Sequence, residues 1–336
     1  RAPERSSRRL KLFLRSWMLC RSNPSGLNRD GLHVTHRPDT RRGIPLSLIA
    51  GALLGAGAPF SKLLLAHMDP LALAGALYIG PAVVTGFALL VSGCASRPYA
   101  PLRRRDAPQL AAAILAGTIA APVLLMYGIR LSSGFAASLM LNMEGIATAL
   151  IAAVFYHEHV SPSLWIAVFC MTATGVLVTG VNGGGSSSLL GGLLIMGSCV
   201  AWGIETNIVS TLSDRNPVLV TFIECVPSAV LLTLAGALRL GGLPPLRDLL
   251  LGVALGSVSN GAGLLLFFLS LEAMGPARTG AFAGIGPLTG AVLSLVLFRT
   301  SLDWRVLAGL VLTAAAVLVV GRDDERRQLA GERIPE

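Results

Sequence analysis

Four ionisable side chains, Lys62, Glu144, Glu205 and Glu224, lie inside long apolar stretches of this sequence. A charged side chain at the centre of a hydrocarbon layer costs about 2.5–3.5 kcal/mol on insertion scales. Such residues therefore indicate a binding site, a proton path or a buried ion pair in a protein that crosses a membrane. Three carboxylates and one ammonium group can bind a cation or a proton, or they can form ion pairs with each other.

The stretch 138–160 places Glu144 in an otherwise apolar run, with Asn142 just before it. In a helix predicted over 132–156, Glu144 lies at the centre, where it can bind a cationic or amine-bearing solute or a proton. A rise of about 1.5 Å per residue puts Lys62 roughly 10 Å nearer the outer surface, and its long side chain can reach Glu144. The alternative is a Lys62–Glu144 pair that only fixes helix packing.

Glu205 and Glu224 are expected on the inner side of the membrane midplane, by the same count of helical rise. Trp202 and Glu205 can share one face of a helix, and two neighbouring carboxylates can share protons or hold a cation. Asn260 adds a polar side chain at the centre of its own predicted span. For Trp202 and Asn260 the competing interpretation is packing or hydrogen bonding between helices.

The composition of the chain is that of a membrane protein. Of 336 residues, 53% are hydrophobic and 13% are charged, and the mean hydropathy is +0.68. A soluble domain has about 25% charged residues, so a water-soluble fold of this chain would leave a large apolar surface. The 38 glycines and 19 prolines are spread through apolar runs. We therefore predict an all-α integral membrane protein whose helices approach closely at small residues.

Ten stretches are predicted to be transmembrane helices, since a span needs about 20 mostly apolar residues. Prolines at or next to several of their starts fit helix N-termini, and Ser161 fits an N-cap. Most of the 27 Lys and Arg residues fall in segments on one side of the membrane, which predicts that both termini are cytoplasmic. The predicted spans are residues 45–66, 71–93, 108–130, 132–156, 162–181, 189–212, 217–239, 248–272, 276–298 and 304–321.

A weak internal repeat relates the two halves of the sequence. TGVLVTG aligns with AAVLVVG, and the stretch around Glu144 aligns with a stretch of the second half. Each copy holds five predicted spans, so the second copy enters the membrane from the opposite side. This is the inverted repeat of many secondary transporters. The aligned pairs are Gly134 with Gly275, Gly145 with Gly286, Thr148 with Thr289 and Gly180 with Gly321.

The repeat divides the chain into five parts. They are a basic extension over 1–44, a first repeat over 45–181, a Gly/Ser linker over 182–188, a second repeat over 189–321 and a charged cytoplasmic tail over 322–336. The extension is predicted to be disordered and cytoplasmic. Its stretch RRLKLFLRSWMLCRS is basic and amphipathic, which suits an anionic membrane surface.

Four strings of this sequence resemble the EamA family of the drug/metabolite transporter superfamily: APFSKLLL, LMLNMEG, AWGIETN and GPARTGAFAGIGPLTGAVL. The resemblance covers about residues 45–321 and implies ten helices arranged as two inverted five-helix repeats. It also implies a multi-pass carrier in the plasma membrane, the inner membrane of a bacterium. The family's Gly-Glu pair after helix 4 is matched at Glu158, whereas the second such position reads Arg299-Thr300. Where helix 7 carries Glu224, family members often have a basic residue.

The predicted function is a secondary transporter of small metabolites or drug-like solutes. We expect an exporter that works by alternating access, with proton coupling through Glu144 as a hypothesis. Two alternatives of the same fold stay open, namely a non-transporting membrane sensor and a passive channel.

Enzyme chemistry is not predicted, because P-loop, GxSxG and HExxH motifs are absent and no nucleophile–base pair lies within the spans. HEHV at 157–160 is not expected to bind a metal, since alternate histidines at a helix end point apart. No cofactor is expected. The expected partners are a small-molecule solute, protons and membrane lipids, and a homodimer is left open. Nucleic acid is not expected, because no binding module accompanies the basic arm.

Overall fold

The computed structural model describes residues 40–92, 99–156, 162–179, 186–299 and 303–331. Within these ranges the chain consists of helices and short connections, and no strand occurs. The predicted all-α fold is therefore confirmed for the described part of the chain. Most of the basic extension, the Gly/Ser linker and the HEHV segment lie outside it.

Helices α1 to α5 form the first half of the chain. Helix α3 begins with a 3₁₀ turn and contains a π-helical segment, Ile114–Ala120. Helix α4 is interrupted between Met140 and Met143. The bounds are α1 Thr40–Leu64, α2 Pro70–Ser92, α3 Arg104–Leu131, α4 Gly134–Met140 and Met143–Tyr156, and α5 Pro162–Thr179.

Helices α6 to α10 form the second half and repeat these irregularities. Helix α8 contains a π-helical segment, Ser257–Ala262, and helix α9 is interrupted between Ala283 and Gly286. The bounds are α6 Ser186–Ser210, α7 Pro217–Leu240, α8 Leu246–Met274, α9 Pro276–Ala283 and Gly286–Phe298, and α10 Trp304–Gly331.

Seven of the described helices are long and apolar enough to cross a membrane. Shorter apolar stretches lie in α5, α9 and α10, at Trp165–Leu177, Gly286–Phe298 and Trp304–Ala316. Large apolar side chains are exposed all along these helices, as Leu90 shows with 83% of its surface accessible. An exposed apolar surface of this extent fits lipid rather than water. The chain is therefore a multi-pass membrane protein.

The helices begin where local chemistry favours a start. Pro70, Pro162, Pro217 and Pro276 are each the first residue of a helix, a position where the missing N–H is harmless. Asn216 caps α7 by accepting hydrogen bonds from the amides of Val218 and Leu219, at 3.0 and 3.3 Å. Ser133 caps α4 by accepting one from the amide of Ala136, at 3.0 Å.

Some boundaries differ from the predictions. Helix α1 begins at Thr40, ahead of the predicted start at residue 45, and α10 continues to Gly331 through the predicted tail. Charged residues form helices as readily as apolar ones, so polarity marks the edge of the membrane rather than the end of a helix. Ser161, the expected N-cap of α5, lies outside the described residues.

Equivalent helices of the two halves make equivalent contacts. Helix α1 packs against α8 and α9, and its counterpart α6 packs against α3 and α4. Helix α2 packs against its own counterpart α7, and α5 against α10. The main helix contacts thus run between the halves, so any site at their junction draws side chains from both.

Glycines set the closest of these crossings. An added Cβ on Gly55 of α1 would collide with the carbonyl oxygen of Gly286 in α9, and one on Gly290 would collide with the carbonyl oxygen of Gly55. The two backbones therefore touch directly, as small residues allow in membrane proteins. This contact holds the broken helix α9 against the first half.

Candidate functional site

Three carboxylates from three helices meet at the junction of the two halves. Glu144 comes from α4, Glu205 from α6 and Glu224 from α7, and Glu205 lies close enough to both others to interact with their charges. We call these three residues the carboxylate cluster. None of the ion pairs found among the described residues includes a member of it. The cluster thus brings together three acidic groups that have no basic partner among these ion pairs.

Glu224 is the most buried of the three, with 5% of its surface accessible. Its Oε1 atom has no hydrogen-bond partner in the part of the chain that the structure describes. Its backbone carbonyl, in contrast, accepts hydrogen bonds from the hydroxyls of Ser228 at 2.9 Å and Thr118 at 3.3 Å. These two hydroxyls also bond each other at 2.6 Å. The hydroxyls of Thr118 and Ser228 are therefore occupied, and Oε1 of Glu224 is left without a donor.

Glu205 lies directly against the π-helical segment of α3. A methyl group on Gly117 would overlap its carboxylate, so only glycine leaves room for it there. The π-helical turn also turns the Gly117 carbonyl towards α2, where it accepts a hydrogen bond from the Tyr78 hydroxyl at 3.3 Å. A π-helical bulge frequently marks a functional position in a helix.

Two aromatic side chains adjoin the carboxylates. The Tyr78 phenol interacts with the charges of Glu205 and Glu224 and with the side chain of Trp202. Tyr78 is buried, whereas Trp202 is partly buried and packs on the main apolar core. The thiol of Cys225 lies in the same neighbourhood. Two aromatic side chains and a thiol therefore border the carboxylate cluster.

Glu144 follows the interruption of α4. Its amide still bonds the carbonyl of Leu141, at 3.1 Å, and the side chain of Asn142 bonds the carbonyl of Leu139, at 3.3 Å. Asn142 thus helps to close the broken turn. The next residue, Gly145, is exposed and has no atom within 4 Å of an added Cβ. Gly145 thus faces away from the neighbouring helices, whereas Glu144, one residue earlier, is partly buried.

Lys62 does not form the predicted pair with Glu144. Its ammonium group donates hydrogen bonds to the backbone carbonyls of Ile129 at 2.8 Å, Arg130 at 3.1 Å and Ser132 at 2.6 Å. These are carbonyls at the C-terminal end of α3, which lack partners within the helix. The prediction was wrong because position along a helix gives depth but not the direction of the side chain.

Two further asparagines, Asn260 and Asn207, lie within the predicted spans. Asn260 lies in the π-helical segment of α8, where its described side-chain contact is with Ser259 at 3.5 Å. Asn207 bonds the carbonyls of Thr148 at 3.0 Å and Gly203 at 2.8 Å, and so ties α6 to α4. Asn207 therefore acts between helices, whereas the described contact of Asn260 stays within α8.

Two arginines, one near each end of the bundle, have acidic or aromatic partners. At one end, Arg215 binds Asp106 at 3.0 Å, and both side chains are almost fully buried. At the other end, Arg239 binds Asp69 at 3.4 Å, donates a hydrogen bond to the Tyr127 hydroxyl and lies over the Tyr127 ring. Each pair joins an element of one half to an element of the other.

No group of His, Cys, Asp and Glu within the described ranges has an arrangement that would hold a metal ion. The HEHV residues, with Glu158, lie outside those ranges. Sequence reasoning also missed Tyr78, Gly117 and Thr118 as neighbours of the carboxylates. Tyr78 could have been identified from the sequence, because it is an isolated hydroxyl in an apolar span. Gly117 could not, since many glycines lie in such spans.

The sequence profile of the EamA-like transporter family matches residues 41–180 and again residues 189–322. A protein described as an uncharacterized transporter, from Methanothermobacter thermautotrophicus (strain ATCC 29096 / DSM 1053 / JCM 10044 / NBRC 100330 / Delta H), is 23% identical in an alignment of 274 residues. The alignment covers 76% of this chain and 79% of that protein. A crystal structure matches 84% of this chain and 97% of its own, with a TM-score of 0.62 and 17% identity. That likeness shows the fold alone.

Proposed function

The chain belongs to the EamA-like transporter family, and from that premise we propose that it is a secondary transporter that exports small metabolites or drug-like solutes across the plasma membrane. It is a multi-pass membrane transporter rather than an enzyme.

The observation that carries the proposal is the carboxylate cluster. Secondary transporters bind solute at the interface of their repeats, where broken helices free backbone groups. Glu144 follows such a break in the first half, and Glu205 of the second half interacts both with it and with Glu224. Asn142 and Trp202 adjoin the same region. We assign these five residues to the lining of the solute site, and Lys62 and Asn260 to helix packing.

Transport by alternating access follows from two halves that rock about a shared site. The proposal is supported by the equivalent contacts that α1 and α6 make, and by the equivalent irregularities of α3 and α8 and of α4 and α9. We propose ten spans in two inverted repeats, over 45–181 and 189–321. The excess of Lys and Arg on one side supports cytoplasmic termini in the inner membrane of a bacterium.

Proton coupling is proposed for the same cluster. When solute leaves, a buried carboxylate without a counter-charge becomes costly, and a proton removes that cost. A cluster that alternates between solute and protons would export solute while protons enter. Two or three acids that interact share their protons as a set rather than individually.

The test is profiling of metabolites in the culture medium. Cells that produce the chain are compared with cells that make equal amounts of Glu144→Gln, Glu205→Gln or Glu272→Gln, and with cells that carry no transporter. Glu272 is an exposed carboxylate near the end of α8 and serves as the matched control. We expect one class of small solutes to accumulate outside with the original chain and Glu272→Gln only.

Other outcomes separate the parts of the proposal. Accumulation that persists in both cluster variants would leave transport standing and remove the cluster from it. Media that all match the transporter-free control would contradict export.

A further inference from the structure

The surroundings of the carboxylate cluster indicate the charge of its solute. We propose that the solute is a small organic cation whose charged group binds between Glu205 and Glu224, next to the rings of Tyr78 and Trp202. This inference rests on the proposed transport function and gives its substrate class.

Glu224 is the anchor of the site. A buried carboxylate oxygen without a donor is costly in an apolar interior, and it is stabilised by a cation or a proton. The hydroxyls of Thr118 and Ser228 bond each other and the Glu224 backbone carbonyl, and the Tyr78 hydroxyl bonds the carbonyl of Gly117. The vacant oxygen of Glu224 is therefore available to a ligand that brings positive charge.

The groups that face the cluster, as named below, offer an anion no basic partner. Around Glu205 and Glu224 lie Tyr78 from α2, Gly117 and Thr118 from α3, Glu144 from α4, Trp202 from α6 and Cys225 from α7. An anion at this place would meet three carboxylates. Lys62, Arg215 and Arg239 are bound near the ends of the bundle and bring no compensating charge.

The aromatic and apolar neighbours favour an organic cation over an alkali metal ion. Hard metal cations take shells of about six oxygen ligands, whereas this site mixes carboxylates with two aromatic rings and a thiol. Ammonium groups with an organic body gain from aromatic faces within about 6 Å. Trp202 is partly exposed, so it is placed to contact the body of the solute while the acids take its charge.

The experiment measures binding of benzyltrimethylammonium to the full chain in detergent micelles by titration calorimetry. We expect saturable binding that tightens as pH rises, because the cation displaces protons from the cluster. Glu224→Gln should weaken it by about tenfold or more, and Glu272→Gln should leave it unchanged. Benzyl alcohol, the neutral probe, should bind the original chain and Glu224→Gln alike.

A folding defect is distinguished from a lost site in two ways. The pH dependence is measured on the original chain, and each variant must elute as a single species before titration. Absence of binding to the original chain, equal binding to Glu224→Gln, or displacement of the probe by Na⁺ at comparable concentration would overturn the inference.

The inference and the proposed function fail separately. If medium profiling finds an exported solute that is neutral or anionic, transport stands and the cation assignment falls. If benzyltrimethylammonium binds as expected while no solute is exported, the cation site stands and the proposed export falls.

Discussion

The side chain of Lys62 in α1 stabilises the C-terminal end of the neighbouring helix α3. Its three hydrogen bonds to the end of α3 place a cation at a helix C-terminus, where the helix dipole favours it. We expect Lys62→Met to destabilise the protein by up to about 2 kcal/mol while saturating transport stays intact. Thermal midpoints in detergent and solute export check this. Loss of export at unchanged stability would return Lys62 to the solute site.

Arg299 ends α9 in a left-handed conformation, with φ 46° and ψ 39°. A residue with a Cβ atom is destabilised by about 1–2 kcal/mol in this conformation, whereas glycine is not. This is the position where the resemblance led us to expect the glycine of the second Gly-Glu pair. Arg299→Gly should therefore raise the thermal midpoint, whereas Arg299→Ala should leave it nearly unchanged. A lower midpoint for Arg299→Gly would mean that the arginine side chain makes a stabilising contact.

The residues of the cluster were predictable, but their partners were not. Glu144, Glu205 and Glu224 stand out because a carboxylate in an apolar run is costly and so seldom incidental. The proximity of Glu205 to Glu224 was proposed from depth alone. The Lys62–Glu144 pair was wrong on the same reasoning, since depth leaves the direction of a side chain around its helix undetermined.

At the scale of helices, the crossing of α1 and α9 depends on glycine. Gly55→Ala must push the two backbones apart, because its Cβ would meet the Gly286 carbonyl oxygen. We expect a loss of about 1–3 kcal/mol, as for other overpacked sites. Gly280→Ala, in open space on α9, should be neutral or gain up to about 1 kcal/mol from helix propensity. Equal midpoints for the two variants would contradict the close crossing.

Helix existence was predictable because apolar runs of sufficient length are unambiguous, and starts at Pro70 and Pro217 followed from proline's missing donor. The π-helical segments and the breaks in α4 and α9 were not. These irregularities arise where a helix fits against partners from the other half. Their causes are therefore tertiary, and the run around Asn142 reads as one continuous span.

At the scale of the whole molecule, the Asp106–Arg215 pair ties the two halves at the end predicted to be cytoplasmic. Removing one member leaves a buried charge without its partner. We expect Asp106→Asn and Arg215→Gln each to lower the thermal midpoint. The midpoint of the double variant should be no lower than that of the less stable single variant. Additive losses would show that the two side chains act independently.

The central claim is that this chain is a carrier whose cluster faces one side of the membrane at a time. Counterflow in proteoliposomes tests it most directly, with the solute found by profiling placed unlabelled inside and labelled outside. We predict that labelled solute transiently exceeds its equilibrium level with the original chain and with Glu272→Gln, and not with Glu224→Gln. Flux that rises linearly with concentration and never overshoots would identify a channel and contradict the account.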